Sequence, residues 1–149
     1  MEFDPSLHKA FCILAAEEEW AWAAALVETE SAWNALAVSD SNLALGLFQM
    51  HPNFVADMFR EYGADAHMLV ALHHSPFAQA EAFKRFWRRR FAHLSVNDRL
   101  GLYHYHGTNL AAWEAQARSE NPDPDGYIQK VRAHYQRITA PPKKAPQSE

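Results

Sequence analysis

Alanine outnumbers glycine by 26 residues to 5 in this chain of 149 residues. Alanine is the best helix former and glycine one of the poorest, and average usage would give about 10 glycines in a chain of this length. β-Sandwiches and barrels need many turns that contain glycine or asparagine. The balance therefore predicts a mainly α-helical fold with little or no β structure.

The length suits one domain and is too short for two. Apolar periodicity and helix-start signals predict a helical domain over residues 1–139, and the tail 140–149, which contains proline and lysine, is expected to be disordered. The predicted helices cover residues 4–16, 17–31, 43–50, 52–63, 65–73, 76–94, 95–105, 110–118 and 127–138.

The composition also bears on cofactors. The single cysteine, Cys12, excludes an internal disulfide and a cysteine-based zinc site. His104 and His106, like His73 and His74, would point in different directions on a helix, so neither pair makes a two-ligand face. We therefore expect no metal and no cofactor.

Charge and targeting signals restrict the partners. A net charge of −4 disfavours nucleic acid. The N-terminus has neither a basic segment nor the apolar run of a secretory signal, and no window approaches the ~20 apolar residues of a membrane span. We expect synthesis in the cytoplasm without a signal peptide.

Glu30 stands out on the second predicted helix. It follows Val27 by three residues and Leu26 by four, so it lies on or beside the apolar face, whereas Glu28 and Glu18 face solvent. Desolvation and the C-terminal helix dipole both raise the pKa of a carboxyl group in that position. A protonated glutamate can act as a general acid. On spacing alone, an ordinary last-turn glutamate is the simpler interpretation.

The segments around and after Glu30 resemble a known family. They occur in the order of the SLT-type lytic transglycosylases, of the lysozyme-like superfamily, whose segments are E-S-x-x-N, A-x-S, G-A-x-G-L-M-Q-x-x-P, Y-N-x-G and Y-V-x-x-V. The matching segments here are Leu26–Asn34, Ala37–Ser39, Ala44–Pro52, Leu102–Gly107 and Gly126–Val131. The resemblance spans most of the chain and implies a lysozyme-like helical domain with a catalytic cleft.

The resemblance also implies site residues. Glu30 matches the catalytic glutamate, which acts first as an acid and then as a base. Ser39 matches a serine that lines the cleft near the reacting sugar. The turn that contains Gly46, Phe48 and Gln49 matches the wall of the cleft. Its glycine would let the backbone approach the glycan, and its glutamine would contact the sugar or support the catalytic carboxyl.

Further along the chain, Tyr105 matches the tyrosine whose hydroxyl points at the catalytic carboxyl, and His106 stands where the family has asparagine. Trp33, three residues after Glu30, is a candidate for stacking on a sugar face. The segment 40–43 has one extra residue, and Phe48 replaces a methionine. These departures concern the shape of the loop and the substrate contacts more than the catalytic glutamate.

The resemblance implies a peptidoglycan lytic transglycosylase. Such an enzyme cleaves the β-1,4 bond between N-acetylmuramic acid and N-acetylglucosamine and closes a 1,6-anhydro ring. One alternative is a muramidase that hydrolyses the same bond with Asp40 as second carboxylate, although a solvated turn aspartate is the simpler interpretation of Asp40. An alternative of another class is an inactive lysozyme-like protein that binds the cell wall.

The expected partner is the peptidoglycan glycan strand. Because the chain shows no signal peptide, anchor or wall-binding module, we expect a monomeric phage endolysin or virion-associated lysin that reaches the periplasmic cell wall after release. The basic face formed by Lys84, Arg85, Arg88 and Arg89 suggests contact with the anionic envelope. A solvated basic helix face is the simpler interpretation.

Overall fold

The computed structural model describes residues 19–39, 43–60 and 75–140, and within these ranges the chain is mainly helical, as predicted. The described α-helices are α1 (Trp20–Ser31), α2 (Pro52–Met58), α3 (Pro76–Arg85), α4 (Val96–Gly101), α5 (Leu110–Ala117) and α6 (Tyr127–Thr139). Two π-helical segments, Phe86–Arg90 and Leu102–His106, directly follow α3 and α4. The described ranges contain one small antiparallel sheet, in which β1 (Val38–Ser39) pairs with β2 (Ala44–Leu45).

Most predicted helices in the described ranges are present, although several bounds differ. The helix starts at Ser95 and Asn109 follow the capping rule, because each side chain accepts a hydrogen bond from a backbone N–H of the first turn. The helix predicted over 76–94 is α-helical only as far as Arg85, and a π-helical segment continues it to Arg90. The predictions for residues 4–16, 65–73 and the end of the tail lie outside the described residues.

The helix predicted over 43–50 is wrong. Residues Ala44–Leu45 form β2, and Leu45 makes a further bridge with Met50. Between them Gly46 has φ 78° and Gln49 has φ 49°. A right-handed helix needs negative φ at every residue, so these two residues form a tight turn that brings Met50 back beside Leu45.

The core is built around α1, whose residues 23–27 are all buried and which packs against α6. Small alanine side chains on this helix let neighbouring backbones approach closely. Aromatic rings make up much of the remaining core. The ring centroid of Phe83 lies 5.6 Å from that of Phe48 and 5.4 Å from that of Trp87. Phe54 is T-shaped against Tyr103 at 5.2 Å. The core therefore fixes the C-terminal end of α1 relative to the second π-helical segment.

A buried glutamine on α3 holds the turn that follows β2. Gln79 is fully buried; its Oε1 accepts from the Phe48 N–H at 3.0 Å, and its Nε2 donates to the Leu45 carbonyl at 2.7 Å. Buried polar backbone groups that lose their partners cost free energy. Gln79 thus substitutes for the missing ladder hydrogen bonds of a very short hairpin.

Replacing Gln79 by leucine is expected to lower the free energy of unfolding by about 3 kcal/mol, since two backbone groups lose a buried partner at about 1–3 kcal/mol each. Chemical denaturation of Gln79→Leu would measure the loss. Gln136→Leu, at an exposed position of α6, is the matched control and should unfold like the wild type. Equal stability of the two variants would contradict the role given to Gln79.

Candidate active site

A cleft of about 870 Å³ opens between the C-terminal end of α1 and the segment that follows α4. One wall comes from the first half of the chain and is lined by Thr29, Glu30, Ser39, Gln49, Met50, His51, Asn53 and Phe54. The opposite wall comes from the second half and is lined by Tyr103, His104, Tyr105, His106, Gly107, Thr108, Asn109, Asp125, Tyr127 and Lys130. The lining is rich in groups that donate and accept hydrogen bonds, as a carbohydrate site requires.

Glu30 lies in the last turn of α1 and points into this cleft. The helix ends directly after it, because Ala32 (φ 50°) and Trp33 (φ 68°) both have left-handed backbones. The Ser31 hydroxyl donates to the Leu47 carbonyl at 2.8 Å, which ties the end of α1 to the turn after β2. The Glu30 side chain is 13 % exposed, so its carboxyl group reaches the cleft while most of its surface is packed.

Two tyrosines, the buried Tyr127 and the half-buried Tyr103, lie close to the Glu30 carboxyl group. Burial first, and the charge of Glu30 second, raise the pKa of both Tyr103 and Tyr127 well above that of an ordinary tyrosine, so both keep their protons. Tyr103 donates to the Phe48 carbonyl at 2.6 Å. The Tyr127 hydroxyl lies near Glu30, but the geometry falls short of a standard hydrogen bond. Tyr127 can therefore donate to the carboxylate after a small shift.

His104 connects Glu30 to the opposite wall. Its Nδ1 lies 3.9 Å from Glu30 Oε1, and its Nε2 lies 2.8 Å from Asp125 Oδ2. The imidazole ring stacks on the Tyr127 ring at 3.9 Å with an angle of 4° between the planes, and it makes a T-shaped contact with the Tyr105 ring at 4.6 Å. Stacking and the bond to Asp125 fix the ring with Nδ1 towards Glu30.

Asp123 and Asp125 together anchor the N-terminus of α6 and the hydroxyl of Tyr105. Asp123 accepts from the backbone N–H groups of Ile128 and Gln129, and Asp125 accepts from that of Tyr127. The Tyr105 hydroxyl is shared between the two carboxylates. Burial, then these bonds, raises the pKa of Tyr105.

The Asp125 carboxylate is held ionised. Partial burial opposes ionisation, but the hydrogen bonds from Tyr105 and His104 outweigh it and lower the pKa of Asp125 to about 2. A carboxyl group with a lowered folded-state pKa stabilises the fold above its unfolded pKa of about 4. That contribution is lost as the pH falls towards 2.

The structure brings five of the residues selected from sequence to the cleft, namely Glu30, Ser39, Gln49, Tyr105 and His106. The hydroxyl of Tyr105 is directed at Asp123 and Asp125 rather than at the Glu30 carboxyl group. The Nε2 atom of His106 is bonded to Gln116 at 2.7 Å.

Gln49 also has a different environment from the one expected. Its Nε2 donates to the carbonyls of Ala37 and Gly46, each at 2.9 Å, and its Oε1 accepts from the Ser39 hydroxyl. Both amide hydrogens are therefore used to hold the hairpin. At the cleft wall, the Gln49 amide is therefore already hydrogen-bonded within the protein.

Three of the selected residues do not line the cleft. Phe48 is buried in the core, and only its carbonyl contributes to the site, by accepting from Tyr103. Gly46 is buried in the turn, where its φ of 78° suits glycine. Trp33 is half-buried and packs against the core. Asp40, the alternative second carboxylate, lies outside the described residues.

Sequence reasoning missed Tyr103, His104, Asp125 and Tyr127 as site residues. The tyrosine–histidine pair occurs twice in succession, and the second pair fitted the family segment. The π-helical segment Leu102–His106 changes the phase of the helix there, so that the first pair lies next to Glu30. Tyr127 is the first residue of the segment that resembles Y-V-x-x-V, so the sequence indicated it only as part of the closing helix.

The basic face formed by Lys84, Arg85, Arg88 and Arg89 is largely paired within the molecule. Lys84 and Arg85 both reach Glu81, at 3.9 and 3.4 Å. Arg88 reaches Glu19 at 3.4 Å. Along the ranges that the structure covers, no helix combines the length and apolar character that crossing a bilayer requires. Envelope contact through this face stays a prediction.

Comparison with known proteins agrees with the resemblance. Residues 13–75 match the family described as Transglycosylase SLT domain. No curated protein and no solved structure gives a significant match. The family match contains Glu30 and the first wall of the cleft, while the second wall lies beyond it. It confirms the resemblance to SLT-type lytic transglycosylases of the lysozyme-like superfamily, with which the mainly helical fold is consistent.

Proposed function

We propose that this chain, whose residues 13–75 match the SLT transglycosylase domain, cleaves the β-1,4 bond between N-acetylmuramic acid and N-acetylglucosamine and leaves a 1,6-anhydro product. The domain supports action on peptidoglycan of the lytic transglycosylase type. The observation that carries the finer proposal is the position of Glu30: a mostly packed carboxyl group at the wall of a polar cleft, close to the buried hydroxyl of Tyr127.

In the first step, protonated Glu30 donates its proton to the glycosidic oxygen while the bond from that oxygen to the muramic C1 breaks. The substrate's own acetamido group stabilises the positive charge at C1, in place of a second protein carboxylate. Tyr127 keeps its proton because its pKa is raised, so it can donate to the Glu30 carboxylate that forms.

In the second step, the muramic 6-hydroxyl attacks C1 and its proton returns to the enzyme. The new C1–O6 bond closes the anhydro ring, and no water is consumed. Glu30 regains its proton, so the enzyme emerges unchanged. Hydrogen-bonding groups at the walls, including Ser39, Tyr105 and His106, are proposed to hold the sugar, and Trp33 remains a candidate for stacking outside the cleft lining.

Hydrolysis would need a second carboxylate free to activate water. Among the described residues, Asp125 is the carboxylate that reaches the cleft beside Glu30, and it is engaged by His104 and Tyr105. Those bonds favour the transglycosylase over a muramidase. The origin in a phage and the monomeric state stay predictions.

Digestion of purified peptidoglycan sacculi tests the proposal. Mass spectrometry should show soluble fragments with 1,6-anhydromuramic ends, each lighter by one water than the corresponding reducing sugar. Fragments with reducing ends would replace the transglycosylase by a muramidase. Binding to sacculi without release of fragments would favour the inactive wall-binding protein.

A further inference from the structure

A histidine on the second wall of the cleft occupies the position of a catalytic base. His104 Nδ1 lies 3.9 Å from Glu30 Oε1. A reacting hydroxyl oxygen placed between these two atoms can therefore lie within hydrogen-bond reach, about 2.6–3.2 Å, of both. In a transglycosylase, two protons move at this place, one onto the leaving oxygen and one from the attacking hydroxyl.

The tautomer of His104 follows from its partner. Asp125 is ionised, since its pKa is lowered to about 2, and an ionised carboxylate only accepts hydrogen bonds. The Nε2 atom, 2.8 Å from Asp125, must therefore carry the hydrogen. In the neutral ring the free lone pair then lies on Nδ1, the atom that faces Glu30.

Two aromatic rings contact the imidazole and favour the observed orientation. Tyr127 stacks on one face with its plane inclined by 4°, and Tyr105 covers the ring from the side. A 180° flip of the ring would put carbon atoms where Nε2 and Nδ1 now lie, and would break the bond to Asp125. The arrangement has the parts of a base oriented by a carboxylate, which is the geometry that activates hydroxyl groups in other enzymes.

Resting on the proposed function, we propose that His104, oriented by Asp125, is a second catalytic residue that receives the proton of the attacking muramic 6-hydroxyl. The O6–H bond breaks as the C1–O6 bond forms, and the proton goes to Nδ1. Glu30 has by then given its proton to the leaving oxygen. After the product leaves, the imidazolium passes its proton to the Glu30 carboxylate through a water between the two atoms, which lie 3.9 Å apart, and both groups are restored.

Among the described residues, the titratable groups that face His104 are Glu30 from α1, Asp125 before α6, Tyr127 from α6 and Tyr105 from its own segment. Both tyrosines stay protonated because their pKa values are raised.

His104→Phe tests the role, because phenylalanine keeps the stacked ring and removes both nitrogens. Removing a general base costs about 10²–10⁴-fold in rate, so we expect turnover to fall about 100-fold with little change in KM. His93→Phe, at an exposed loop position, is the matched control and should keep the wild-type rate.

A structural role is separated by chemical rescue and by NMR. Added imidazole should restore part of the turnover of His104→Ala and none of that of Glu30→Gln. Nitrogen NMR of the wild-type protein should show the neutral ring with its hydrogen on Nε2. A wild-type rate for His104→Phe, a lack of rescue or a hydrogen on Nδ1 would overturn the inference. Anhydro products from the wild type would leave the proposed function intact in each case.

Discussion

Replacing Glu30 by glutamine is expected to reduce the release of fragments from sacculi by about 10³-fold, because proton transfer by a positioned group supplies about 10²–10⁴-fold in rate. Glutamine keeps the shape of the side chain and can neither donate an acidic proton nor accept one. The side chain is only 13 % exposed and belongs to the packed end of α1. The variant should therefore fold and still bind sacculi.

The neighbouring Glu28 provides the control for this prediction. It lies on the same helix and pairs with Arg137 at 3.6 Å, outside the residues that line the cleft. Glu28→Gln should release fragments at the wild-type rate. Release by Glu30→Gln at that same rate, with both variants folded by circular dichroism, would refute the assignment of Glu30.

Gly101→Ala is expected to cause a large loss of stability. A Cβ atom at this position would lie 2.1 Å from Cη2 of Trp113 and 2.4 Å from two further ring atoms. Trp113 is 3 % exposed, and its Nε1 donates to Asp98 at 3.0 Å, so the ring has no room to retreat. Overpacking of this kind costs about 3 kcal/mol, which corresponds to a fall in Tm of about 10 °C.

Gly126→Ala is the matched control for Gly101→Ala. The Gly126 position has open space around an added Cβ, and only its φ of 71° opposes the change, so the expected cost is about 1–2 kcal/mol. Trp113→Phe combined with Gly101→Ala should recover part of the loss, because the smaller ring leaves room for the methyl group. Thermal unfolding of the four proteins measures both effects. Equal Tm values for the two alanine variants would contradict the close packing of Gly101.

The fold was predictable where local signals decide it. The balance of alanine over glycine indicated helices, and the capping residue Ser95 marked one helix start correctly. The region around Gly46 was not predictable in this way. A helix is predicted there from the helix propensities of residues close together in the chain. The observed turn depends instead on the positive φ of two residues and on Gln79, which lies 31 residues from Phe48 along the chain.

The residues of the candidate site also differ in whether the sequence could identify them. Glu30 could be found because helical spacing and a family segment both pointed to it. His104 could not, because its environment is made by Asp125, 21 residues further along the chain, and by the phase of a π-helical segment. A π-helical segment adds a residue to a turn without leaving a clear sequence signal. The sequence therefore pointed to Tyr105 and His106 as site residues instead of Tyr103 and His104.

Digestion of sacculi in water enriched in ¹⁸O tests the central claim most directly. An intramolecular attack by the 6-hydroxyl closes the ring with an oxygen that the substrate already carries. We predict that the new muramic ends, separated and examined by mass spectrometry, contain no solvent oxygen. Incorporation of one ¹⁸O atom at each new end would show that water attacks C1, and it would contradict the transglycosylase mechanism proposed for Glu30.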